Sequence, residues 1–299
     1  FPAFILGIVA VVACVQKPIE RDFPRVTVPS MIENPQERME YAVLHFFDGF
    51  ADTSAAYLCD STHYGGVLSD KFEYEFSSWM MMLHNVGRQH AYASIERGYA
   101  HCASALNGFI ACCEKYMYDP NSPVRDEDFY GVLAALRLSD PHTPQDKLKK
   151  IKYDAGLCAL NQVGTPAADF SFTDKFGKVR RLYDVKASVT VLIFSNPGCT
   201  ACKEIIEAFE ASPKLRGLAA SGTVQIVNIF PDEDLESWFE YLPNYPAEWI
   251  CGHDSDGILR SESLYSLRAI PSIYVLDAKK TVVLKDCPTG RMLEFVESL

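Results

Sequence analysis

Residues 188–209 read SVTVLIFSNPGCTACKEIIEAF. SVTVLIFS is an apolar, β-branched run of the kind that forms a buried strand, and NPG turns the chain. A helical pattern follows over 200–216, so Cys199 falls at or just before the first turn of a helix. The site thus lies at the carboxyl end of a strand, where α/β folds open their crevices. A helix N-terminus offers unpaired N–H groups and a partial positive charge, both of which favour a thiolate over a thiol. Cysteines so placed have pKa values of about 3.5–7.5 instead of about 8.5. Cys199 is therefore the candidate nucleophile toward a disulfide. Cys202, one turn along, is the candidate resolving thiol.

Other uses of the pair fit less well. A structural zinc site takes four ligands, usually from two such pairs. The sequence contains no second C-x-x-C, and Cys251 with His253 makes a poor substitute. The histidines His45, His63, His84, His90 and His101 show no paired ligand spacing, and no metal or other cofactor is expected. Two inert core cysteines would suit apolar flanks better than the Asn196-Pro197-Gly198 turn.

The context of the pair supports two parts with different periods. From 36 to 161 apolar residues recur at three- and four-residue steps, as in RMEYAVLHFFDGF and FEYEFSSWMMMLHNV. ASIERGYAHCASALNGFIACCEKYMYD is apolar nearly all round, as a helix buried between others would be. Near 143–164, Thr143 can cap a helix, Pro144 suits its first position and Gly164 lies past its end. These signs predict a bundle of four to six helices without a catalytic signature. The methionines at 80–82 suit core packing.

From 162 to 299 short β-type runs alternate with helical ones, which predicts βαβ units and a mixed central sheet flanked by helices. The strands expected are DFSF, KVRRLY, SVTVLIFS, TVQIVNIF, EWIC, SIYVLD and TVVLKD. Helices are expected over 200–216 and in DEDLESWFEYL, ESLYSLRAI and RMLEFVESL. SIYVLDAKKTVVLKD reads as a hairpin. Ile270-Pro271 stands just before a strand, where a proline cannot donate to the ladder and marks a special turn, such as a cis bond.

Composition sets the class. The chain has 299 residues, 48% of them hydrophobic, which is enough for two globular units. A net charge of −11 and the lack of any basic run beyond KLKK argue against nucleic acid. Residues 4–12 form an apolar block of signal-peptide size, ending in Val-Val-Ala-Cys. This resembles the lipobox of bacterial lipoproteins, which implies a cleaved leader at 1–13, diacylation of Cys14 and a tether over 14–35. The expected location is the cell envelope, with membrane contact through the lipid anchor alone. Of the ten cysteines, Cys59, Cys102, Cys112, Cys113, Cys158, Cys251 and Cys287 are left without an assignment. That odd number leaves at least one thiol free.

Residues 163–299 resemble the thioredoxin-like domain of the TlpA/ResA and AhpC/TSA superfamily. VGTPAADFSFTDKFGKVRRLYDV matches its entry segment, CTAC and Ile270-Pro271 its active-site positions, and 232–251 its characteristic insertion. The whole chain resembles bacterial envelope lipoproteins that pair such a domain with an N-terminal helical domain of unknown function. The resemblance implies a thiol–disulfide oxidoreductase acting as a reductant. A disulfide-containing substrate and an upstream electron donor would be its partners. Ile270 and Pro271, with Pro197 and Gly198, would shape the substrate groove. Gly198 stands where the family commonly has Trp, and the inner dipeptide is Thr-Ala. Glu204 is a proton-relay candidate on the active-site helix, although its spacing differs from the family habit. Two alternatives remain: a peroxidase, although this chain has Asn196 where peroxiredoxins place a Thr or Ser, and a scaffold whose helical part binds a partner.

Overall fold

The computed structural model describes residues 19–51, 55–57, 70–102 and 105–299. The leader at 1–13, Cys14, Cys59 and His63 lie outside the described residues. The N-terminal part is built of α1 (Pro35–Leu44), α2 (Asp70–Leu83), α3 (Arg88–His101), α4 (Leu106–Cys113), α5 (Glu127–Ser139) and α6 (Gln145–Cys158). A short parallel pair, β1 (Ile19–Arg21) and β2 (Ala55–Tyr57), lies beside them. Asn34 caps α1 by accepting from the N–H groups of Gln36 and Glu37 at 2.8 and 3.3 Å. Aromatic rings fill the bundle: Phe47 stands edge-on to Trp79 at 5.0 Å and to Phe109 at 5.2 Å. Gly98 lets α3 approach that cluster, because a Cβ there would sit 2.7 Å from the Phe109 ring. Met80 is buried in the same core and Met82 packs against it, whereas Met81, expected there as well, is exposed because it lies on the outer side of α2.

One expected helix is broken. The apolar stretch 93–119 contains the end of α3, all of α4 and a π-helical turn over Glu114–Tyr118. Its apolar character all round hides the break, since no proline marks it. Pro144 precedes the first residue of α6, and the Thr143 hydroxyl donates to the Arg137 carbonyl instead of capping.

The C-terminal part carries β3 (Ser171–Asp174), β4 (Val179–Arg181), β5 (Val189–Phe194), β6 (Val224–Phe230), β7 (Ile250–His253), β8 (Ser272–Asp277) and β9 (Val282–Leu284). They form one sheet in the order β4-β3-β7-β6-β5-β8-β9. β5, β6 and β7 run parallel, whereas β8 pairs antiparallel to β5 and β9 to β8. Helices α7 (Thr200–Ala211), α8 (Pro213–Ala220), α9 (Leu235–Tyr241), α10 (Ile258–Ser261) and α11 (Thr289–Glu297) complete it. Every residue of the central strand β5 is buried. Its odd positions Val189, Val191 and Ile193 meet Ile205, Ile206 and Phe209 of α7 on one face. Leu192 and Phe194 meet Phe170, Tyr265 and Tyr274 on the other. This alternation places β5 between two cores, each fully buried aliphatic side chain contributing about 1.5–3 kcal/mol.

The expected helix over 200–216 is two helices. Pro213 cannot continue the hydrogen-bond ladder, and Ser212 starts α8 by accepting from Leu215 N–H at 3.2 Å. ESLYSLRAI is mostly a loop, with the short α10 ending just before it. Among the described residues no helix is long and apolar enough to cross a membrane.

Candidate active site

The end of β5 is fixed before the cysteines begin. Ser195 N–H donates to the Ile229 carbonyl at 3.1 Å, continuing the pairing with β6. The Ser195 hydroxyl donates to Asn228 Oδ1 at 2.7 Å and lies 3.2 Å from the Tyr245 hydroxyl, all three residues being buried. Asn196 Nδ2 then donates to Asp232 Oδ2 at 2.6 Å, and Asp232 is also paired with Arg260. These ties hold the Asn196-Pro197-Gly198 turn against β6 and the 232–251 segment. Local sequence pattern signals none of the side-chain ties, because they join residues 28 to 50 positions apart.

Gly198 turns the chain at φ +74°, and a Cβ there would meet nothing within 4 Å. Its value is therefore conformational and not one of space. Cys199 is the N-cap of α7, in extended conformation, and its Sγ accepts from the Cys202 backbone N–H at 3.2 Å. This sulfur occupies the place usually taken by a Ser or Asp oxygen at a helix start. Cys199 and Cys202 are joined as a disulfide. Cys199 is half-buried and flanked by exposed Gly198 and Thr200, whereas Cys202 is buried.

Across the sheet, Ile270-Pro271 is a cis peptide bond directly before β8. The pairing of Phe194 with Ser272 in register brings the two loops together. The Ile270 carbonyl oxygen lies 3.8 Å from Cys199 Sγ. Cys199, Cys202, Gly198, Ile270 and Pro271 thus belong to one corner at the carboxyl end of β5, with Pro197 half-buried beside them. Lys203 and Glu207 form an exposed pair at 3.3 Å on the outer face of α7. Glu204 is exposed, two residues beyond Cys202.

The remaining described cysteines have a different environment. Cys112, Cys113, Cys158, Cys251 and Cys287 are free and buried, and Cys102 is buried as well. Burial pushes the thiols of Cys112, Cys158, Cys251 and Cys287 up to about 12, and that of Cys113 well above the ordinary value. Such thiols are poor nucleophiles near neutral pH. Among the described residues, no three His, Cys, Asp or Glu side chains gather as a metal site.

Residues 9–161 match the family described as domain of unknown function DUF5106. The chain belongs to the DUF5106 family. The crystal structure of a thioredoxin-like protein from Bacteroides caccae superposes on this DUF5106 protein with a TM-score of 0.78 and is 30% identical, covering 92% of this chain and 98% of that one. The C-terminal part carries the thioredoxin-like fold. A C-terminal domain of an uncharacterized protein from Bacteroides fragilis is 38% identical over 46% of this chain and 98% of its own, with a TM-score of 0.44. The thioredoxin domain of a thiol-disulfide oxidoreductase from Bacteroides vulgatus is 18% identical, covering 46% of this chain and 96% of its own, with a TM-score of 0.41. No curated protein matches the chain.

Proposed function

We propose that this protein is a thiol–disulfide oxidoreductase that reduces disulfides of proteins or small molecules through Cys199 and Cys202. The observation that supports this most is the placing of Cys199 Sγ, which accepts the Cys202 N–H at the start of α7 and faces the Ile270 carbonyl. In the reduced protein the Cys199 thiolate attacks one sulfur of the substrate disulfide. The substrate S–S bond breaks, one substrate thiolate leaves, and a Cys199–substrate disulfide forms. Cys202 then attacks Cys199 Sγ, which releases the second substrate thiol and closes the Cys199–Cys202 disulfide. Two electrons pass to the substrate, and a dithiol donor protein restores the pair. The proton of Cys202 leaves to solvent, with exposed Glu204 the carboxylate available to relay it. Ile270, Pro271, Pro197 and Gly198 form the groove that receives the substrate chain.

Anchoring at the cell envelope through Cys14 belongs to the same reading and rests on the apolar block 4–12 and the Val-Val-Ala-Cys sequence. Acyl chains on Cys14 in envelope fractions, detected by mass spectrometry, support it, and an unmodified soluble N-terminus contradicts it. For the redox function, insulin reduction by the wild type and by Cys199→Ser is the test. Loss of activity in the variant is expected, and equal activity contradicts the assignment. Peroxide consumption without insulin reduction would favour the peroxidase alternative.

A further inference from the structure

We propose that the helical part is a positioning element of the dithiol site, with Glu127 holding the loop that carries Ile270 and Pro271. This rests on the redox reading above and adds a role for the DUF5106 half. The loop after α10 is tied to the helical part on both sides of Ile270-Pro271. Before it, Arg268 Nε and the Ser266 hydroxyl each donate to Glu127 Oε1 at 2.8 Å. Arg268 also donates to the Tyr118 carbonyl at 2.6 Å and lies 3.7 Å over the Tyr118 ring. After it, the Ser272 hydroxyl donates to Asp286 Oδ1 at 2.7 Å, and Asp286 pairs with Arg125 at 3.4 Å. Lys285 completes the set, 3.2 Å from Glu127 and donating to the Cys158 carbonyl at 2.6 Å.

Glu127 is 1% exposed and Asp286 and Lys285 are each 6% exposed, so the network is largely removed from water. Buried ion pairs add little net stability over apolar packing of the same volume, yet they specify one arrangement. The arrangement specified here is that of the site. Arg268 stands two residues before Ile270, whose carbonyl faces Cys199 Sγ at 3.8 Å, and Ser272 follows Pro271 directly. Movement of α5 against the sheet therefore moves the groove over the nucleophile. The nucleophile itself is set by β5 and α7: the network meets the end of β5 where Ser272 pairs with Phe194, but Cys199 is capped within α7 by the Cys202 N–H. Glu127 thus acts on substrate placement and leaves the reactivity of Cys199 alone.

The test uses the full chain. Glu127→Gln removes the charge that faces Arg268 and Lys285, and misplacement of the groove is expected to raise KM for a disulfide-bonded peptide about tenfold. The kcat and the pH profile of Cys199 alkylation by iodoacetamide should stay as in the wild type. Amide exchange over 268–272 should accelerate, and Glu127→Asp should recover much of the lost affinity. A merely structural role would lower kcat and alkylation together with KM unchanged. That pattern, or unchanged loop exchange, overturns the proposal. If Glu127→Gln does not fold, Ser266→Ala removes one tie while leaving every charge in place, and should shift KM and loop exchange in the same direction by about threefold. Unchanged values in Ser266→Ala then overturn the proposal. A wild-type protein inert toward the peptide overturns the redox reading instead, and loop exchange in the variants then decides the positioning role by itself.

Discussion

The backbone N–H of Cys202 points at Cys199 Sγ from 3.2 Å, so the two cysteines are related by more than their disulfide. One of the orphan N–H groups of α7 is spent on the sulfur that the proposed reaction turns into a thiolate. Cys202 contributes that N–H, and its own side chain is buried under the helix.

This asymmetry predicts different reactivities. In the reduced protein, iodoacetamide should alkylate Cys199 at least about tenfold faster than Cys202 near neutral pH. Mass spectrometry of partially modified protein reads the order directly. Preferential labelling of Cys202 would reverse the roles assigned to the pair.

The buried cysteines should stay silent. With the thiols of Cys112, Cys158, Cys251 and Cys287 held near 12 by burial, none should react with iodoacetamide at pH 7 in the native protein. All four should react once urea unfolds it. Labelling of any of them in the native state would show that its segment opens to solvent.

Gly198→Ala should destabilise the protein by about 1–2 kcal/mol, the cost of a left-handed residue with a Cβ. No clash adds to it, because the space beyond the Cα is open. Gly98→Ala should reach about 1–3 kcal/mol by the other route, overpacking against the Phe109 ring 2.7 Å away. Urea unfolding measures both. An unaffected Gly198→Ala would mean that the turn relaxes without strain.

Asp286 sets a pH dependence. Burial pushes its carboxyl up to about 6 from 3.8, with Arg125 opposing the rise and Glu127 adding to it. Because the folded state holds this proton more tightly than the unfolded chain, the group favours folding below about pH 4. That advantage is lost as pH rises toward about 6, and nothing further changes above it. The window amounts to about 3 kcal/mol in order of magnitude. Stability curves of wild type and Asp286→Asn should therefore differ in slope between about pH 4 and 6 and run parallel above. Parallel curves throughout would remove Asp286 as the cause.

The corner around Cys199 was legible because its signals are local. A β-branched run, an NPG turn and a helical pattern lie within 22 residues, and alternation along β5 follows from the strand itself. The break at Ser212-Pro213 was also written in the sequence, as a serine before a proline, but the apolar spacing on either side masked it. The segment ESLYSLRAI has helical spacing and is nevertheless mostly loop. Its side chains Tyr265, Ser266 and Arg268 bond to Ala168, Glu127 and Tyr118, and those partners lie 97 to 150 residues away. Local propensity carries no trace of such ties, so neither the loop nor its hold on Ile270 could be foreseen.

The most direct test of the account is to trap the intermediate. Reduced Cys202→Ser, mixed with a disulfide-bonded peptide, should accumulate a covalent adduct through Cys199, and Cys199→Ser should accumulate none. An adduct absent from Cys202→Ser, or equally abundant in both variants, would contradict the assignment of Cys199 as the attacking thiol and Cys202 as the one that resolves it.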